Sequence, residues 1–131
     1  MMNVFARFWF QKEDKSYLGV GRVELLTRIK NTGSISKAAK EMGMSYKAAW
    51  DSIDIMNKLS STPLVHSSNG GKGGGGSSLT NAGEEAIYAF NECERVKNIF
   101  FDYLDQSPDF KTLLERLSHL ETALSDFKNL H

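Results

Sequence analysis

At 131 residues, with 40% hydrophobic and 24% charged side chains, the chain fits one compact domain plus an arm and excludes a disordered polymer. A single cysteine, Cys93, excludes an internal disulfide framework and a cysteine metal cluster. Net charge is zero, but Arg22 to Lys72 holds eight Lys/Arg against four Asp/Glu (net +4) and Gly73 to His131 five against ten (net −5); either the basic middle meets an anion, or these are two solvated surfaces of unequal charge.

The opening MMNVFARFWF is apolar for too short a stretch to span a membrane, which needs about 20 apolar residues. It carries Arg7 and lacks a small-residue cleavage site, so it is not read as a signal peptide, and the expected compartment is the cytoplasm. Val4 to Gln11 alternates as a strand, with Val4, Ala6, Phe8 and Phe10 on one face and Phe5, Arg7 and Trp9 on the other. Aromatics on both faces predict that both are covered, and KEDKSYLGVG then turns the chain. Val23 to Asn31 predicts a helix with Leu25, Leu26 and Ile29 on one stripe, ended by Gly33 in a left-handed conformation. Ser34 is placed to cap a second helix, ISKAAKEM, with Ile35, Ala38, Ala39 and Met42 facing inward. Gly43 breaks it, and Ser45 caps a third helix over YKAAWDSIDIMNKL, where Ala49, Ile53 and Met56 point one way and Lys47, Trp50 and Asp54 another.

Pro63 ends the helical run, and Leu64 to Ser67 and Ser77 to Leu79 read as a hairpin around the glycine-dense tip NGGKGGGG. Thr80 caps a long helix, with Glu84 and Glu85 near its positive end. It runs to Leu104, with Ala82, Ala86, Phe90, Cys93, Val96, Phe100 and Leu104 as its apolar stripe. Ser107-Pro108 starts a last helix, in which Phe110, Leu113, Leu117, Leu120, Leu124 and Phe127 form a seam that wants a partner helix. The fold class expected is mainly α with a small β-hairpin: a winged helix-turn-helix domain over residues 1–79, preceded internally by its strand, and a helical dimerisation arm over 80–131.

SISKAAKEMGMSYKAAWDSI has the marks of a helix-turn-helix: small Ala39 where the helices cross, and Gly43 in the turn, where a positive φ is cheap only for glycine. The residues left outward at the start of the second helix are Ser45, Tyr46, Lys47, Trp50 and Asp51. A recognition helix presents its N-terminal residues to base edges in the major groove. There Lys47 reaches guanine acceptors or a phosphate, Ser36, Ser45 and Tyr46 donate to phosphates, and Asp51 accepts from a cytosine amino group. Each has a plainer alternative: Trp50 packs at the core edge, Tyr46 packs on the preceding helix, and Asp51 simply pairs with Lys47 one turn away. Lys72, the one charge in the glycine tip, would meet the DNA backbone from the wing. A nucleotide-binding loop needs Ser or Thr after its lysine and a following helix; here Gly73 and a strand follow.

GSISKAAKEMGMSYKAAWDSIDIMNKLSSTPLV, then GGKGGGG and LTNAG, resembles the N-terminal domain of the ModE family of molybdate-responsive regulators over roughly Val4 to Leu104, and more distantly the LysR-type domain. The resemblance implies a two-fold dimer through the long helix after the wing. Ser45, Tyr46, Lys47 and Trp50 would then face operator DNA and Lys72 would sit in the wing. It also implies control, often repression, of molybdate-uptake or molybdenum-cofactor genes. Relatives continue into small β-barrel domains that bind molybdate, a region residues 1–131 do not hold. Molybdate or tungstate as effector is thus implied without any identifiable site, and no cofactor is evident.

His66, His119 and His131 are scattered without a ligand-like spacing, Cys93 reads as a packed small hydrophobe, and the tail acids read as a solvated face, so no enzyme is expected. The leading expectation is a homodimer on an inverted-repeat operator in double-stranded DNA, its recognition helices about 34 Å apart, with no membrane partner. The alternative is a winged-helix protein-interaction module that works through its acidic arm.

Overall fold

The computed structural model describes residues 1–68 and 76–130. Its elements run β1 (Phe10–Lys12), β2 (Lys15–Leu18), α1 (Val20–Thr32), α2 (Ile35–Glu41), α3 (Tyr46–Leu59), β3 (Val65–Ser67), β4 (Ser77–Leu79), α4 (Asn81–Leu104) and α5 (Phe110–Leu130). They form two compact units: Phe8–Glu92, and Met1–Arg7 with Cys93–His131.

Within Phe8–Glu92, three helices and a two-stranded wing make the winged helix-turn-helix expected from the sequence. The helices close over a core of Leu25, Leu26, Ile29, Ala38, Ala39, Ala49, Ile53 and Met56, all buried. α1 stops at Gly33, whose φ of 71° is left-handed and whose N–H donates to the Ile29 carbonyl. The Ser34 hydroxyl accepts from the Lys37 N–H, and the Ser45 hydroxyl accepts from the Ala48 N–H, so both helices of the motif start at the residues whose side chains satisfy their open N–H groups. Gly43 holds the turn between them at φ 66°. The wing pairs Val65 with Leu79, His66 with Ser78 and Ser67 with Ser77, one residue shorter at its start than expected. It is docked on the end of α1, because the Ser77 N–H donates to the Gly33 carbonyl at 2.9 Å.

The N-terminal segment departs from expectation. Only Phe10–Lys12 is laddered, and its partner is a second strand, Lys15–Leu18, where the sequence predicts a turn. The two-residue connection places Glu13 and Asp14 both at positive φ, 54° and 60°, a turn that ordinarily calls for Asn and Gly, and that signal is missing here. The alternation of Val4 to Trp9 survives: Val4, Ala6 and Phe8 are half-buried. Phe5, Arg7 and Trp9 are exposed in the protomer, so cover on both faces is not found. Phe8 and Phe10 instead stack around buried Phe90, with centroids 4.8 and 5.5 Å from it.

In the other unit, α5 starts at Phe110, beyond Ser107-Pro108, because Asp109 is its cap: Oδ1 accepts the Thr112 N–H at 2.7 Å. Ser107 is fully buried before it, exchanging both backbone hydrogen bonds with Met2 and donating its hydroxyl to the Leu104 carbonyl. Cys93, expected to be packed, is exposed, as are Val96 and Ile99, and no residue of α5 is buried.

Candidate nucleic-acid interface

α3 divides sharply into two faces. Ala49 and Met56 have no exposed surface and Ile53 has 5%, so one stripe anchors the helix in the core. At its leading end the opposite stripe points outward, with Tyr46 56% and Trp50 48% exposed. Neither aromatic is buried in the core. Lys47 donates to Asp51 at 2.9 Å, and both side chains stay open to solvent. Ser36 and Ser45 are exposed on α2 and at the head of α3, and Ser45, although it accepts as a cap, keeps its hydroxyl proton free to donate. Lys72 lies outside the described residues.

The far end of α3 is fixed by Asn57. Its Oδ1 accepts from the N–H groups of Leu64 and Val65, and its Nδ2 donates to the Val65 carbonyl. Ser60 Oγ, which donates to the Met56 carbonyl, receives the Tyr17 hydroxyl. The next helix locks in behind the wing. Thr80 Oγ1 donates to the Pro63 carbonyl and accepts the Gly83 N–H, and a Cβ on Gly83 would lie 2.2 Å from the Leu64 oxygen. These contacts hold α3 and the wing strands at a fixed setting.

Charge is spent unevenly over this surface. Glu24 and Glu41 both bond Arg28 and raise its affinity for the proton, Glu24 more strongly. Lys30 bonds Glu84, and Lys58 bonds Asp54. Sequence spacing alone would give Glu41 to Lys37, one turn earlier; α1 takes Glu41 instead. Lys37 and Lys40 are therefore exposed cations with no carboxylate at ion-pair distance among the described residues. Residue spacing does not single them out; the competition of Arg28 for Glu41 does. Among the described residues, no group of three or more His, Cys, Asp or Glu could hold a metal ion, and no helix is long and apolar enough to cross a membrane.

Residues 21–84 match the bacterial regulatory helix-turn-helix protein pattern of the lysR family. The chain is 38% identical over 115 residues to the DNA-binding transcriptional dual regulator ModE of Escherichia coli strain K12, covering 86% of this chain and 44% of that protein. It is 47% identical over 134 residues to the molybdenum transport protein ModE of Azotobacter vinelandii, covering 95% and 50%. With the molybdenum-pterin-binding protein MopB of Rhodobacter capsulatus it shares 53% identity over 77 residues, covering 59% and 28%. The chain thus spans half or less of the length of these relatives.

Proposed function

We propose that this chain, whose residues 21–84 match the lysR-type helix-turn-helix regulators and which is similar to ModE proteins over most of its length, acts as a homodimer on double-stranded DNA carrying an inverted repeat. In this reading it represses genes for molybdate or tungstate uptake or for molybdenum-cofactor synthesis. The observation that carries the reading is the leading end of α3: an anchored helix whose free face begins with Tyr46, Lys47 and Trp50. A rod held along one stripe and open at its N-terminal end has the shape and chemistry that major-groove recognition uses. Lys47, Trp50 and Asp51 face base edges, Ser36, Ser45 and Tyr46 face phosphates, and Lys72 reaches the backbone from the wing. Lys37 and Lys40 add unneutralised charge for the polyanion, and their contacts release counterions.

Selection of bound fragments from random duplex DNA tests the reading, followed by titration of the selected site over a range of salt. The expected result is an inverted repeat with half-sites about 34 Å apart and a binding constant that falls steeply as salt rises. An affinity indifferent to ionic strength overturns it, as does retention of a protein partner with no duplex retained. The oxyanion effector is proposed on the molybdenum names of the relatives alone. Calorimetry with molybdate decides it, and the absence of heat at millimolar concentrations removes the oxyanion as a ligand of residues 1–131.

A further inference from the structure

Resting on the reading of α3 as the helix that enters the groove, we propose that Lys47 and Asp51 act as one unit that reads a single G·C pair. The ammonium faces guanine and the carboxylate faces the cytosine amino group. The two side chains are joined at 2.9 Å, with 84% and 50% of their surfaces open, on the first two turns of α3. The next turn carries the reverse order, Asp54 bonded to Lys58 at 2.8 Å, but Asp54 is less exposed, at 31%. Asp51 is therefore the carboxylate that stands forward.

A carboxylate brought toward a polyanion is repelled unless it meets a donor. The major groove exposes two, cytosine N4 and adenine N6. Adenine N6 lies beside N7, an acceptor that repels a carboxylate, whereas cytosine N4 lies beside guanine O6 across the pair. An ammonium placed next to that carboxylate finds O6 and N7 as two acceptors on guanine. The ion pair presents a donor beside an acceptor, and the G·C edge presents an acceptor beside a donor. An A·T pair offers thymine O4 next to adenine N6, but its methyl group crowds the ammonium. The order of Lys47 before Asp51 along α3 also fixes which strand carries the guanine. Because the pair is neutral as a whole, it adds base preference with little counterion release, unlike Lys37 and Lys40.

The test is selection from random duplexes with the unaltered chain and with Lys47→Ala, Asp51→Ala, Asp51→Asn and the double alanine variant. Thermal melting of each serves as a fold control, since both side chains are exposed. The unaltered chain should enrich one invariant G·C pair per half-site. Either alanine variant should make that position degenerate and weaken binding of the selected site, relative to random DNA, roughly ten- to a hundredfold, while the double variant, which leaves the net charge as it was, should keep the affinity for random DNA and the salt slope unchanged. The double variant should lose no more than either single one, because the two groups work together. Asp51→Asn should move the preference toward adenine, which an amide reads through N6 and N7. A preference unchanged by Asp51→Ala, or equal losses on selected and random duplexes, overturns the assignment. Failure of the unaltered chain to enrich any duplex overturns the DNA-binding reading itself, and this assignment with it.

Discussion

Gly83 shows how one missing methyl group sets the wing against α4. Its Cβ would stand 2.2 Å from the Leu64 carbonyl oxygen, a backbone atom that cannot swing away. Gly83→Ala should cost about 1–3 kcal/mol in urea unfolding, by forcing the start of α4 away from the wing strand. Gly21, inside α1, has nothing within 4 Å of the same position, so Gly21→Ala should stabilise by roughly 0.5–1 kcal/mol in the same assay. Asn57→Ala strips partners from two N–H groups and one carbonyl at the foot of the wing, and about 1–3 kcal/mol of destabilisation is expected. The contrast explains what could be read beforehand. Gly33, Ser34, Gly43 and Ser45 act on atoms within a few residues, so local chemistry reveals them. Gly83 and Asn57 act on backbone that only the folded chain brings near. The LTNAG motif was recognisable by resemblance, but its physical reason lies in the Leu64 carbonyl.

α5 shows the same limit at the scale of an element. Ser107-Pro108 looks like a helix start, yet buried Ser107 is committed to Met2, and the helix waits for Asp109. The periodic seam was legible, but the start depended on a bridge to the far end of the chain, Met2 to Ser107, which periodicity cannot show. The Thr112 backbone N–H, then its side chain, holds the Asp109 carboxyl below its ordinary range by bonding the charged form. A carboxyl whose pKa is lower folded than unfolded stabilises the fold above its ordinary range and loses that contribution as pH falls through the folded value. Helicity followed by circular dichroism should therefore fall on acidification more in the unaltered chain than in Asp109→Asn, whose amide oxygen caps without titrating. Identical acid profiles would show that the cap does not control α5. The Glu13-Asp14 turn carries an opposite lesson. Both residues sit at positive φ without the glycine that makes this cheap, so Asp14→Gly should raise the melting temperature.

For the molecule as a whole, the question is what covers its helical arm. α4 exposes Val96, Ile99 and Tyr103, and α5 exposes Phe110, Leu114, Leu117, Leu124 and Phe127 with no buried residue of its own. A helix with an apolar stripe draws most of its stability from burying it, and little propensity remains to hold 21 residues alone. The proposed dimer supplies that cover, and it makes DNA binding depend on the arm as well as on α3. Leu114 is 65% exposed in the protomer, so Leu114→Glu should leave the fold of Phe8–Glu92 intact. In a paired seam, however, a carboxylate without a partner is costly to bury. Sedimentation equilibrium should show the variant shifted toward monomer. Its affinity for a full inverted repeat should drop because the two half-sites no longer share one molecule, while its affinity for an isolated half-site should stay unchanged. A variant that remains dimeric, or that loses half-site binding in proportion, would place the pairing surface elsewhere and leave α5 without a role in operator recognition.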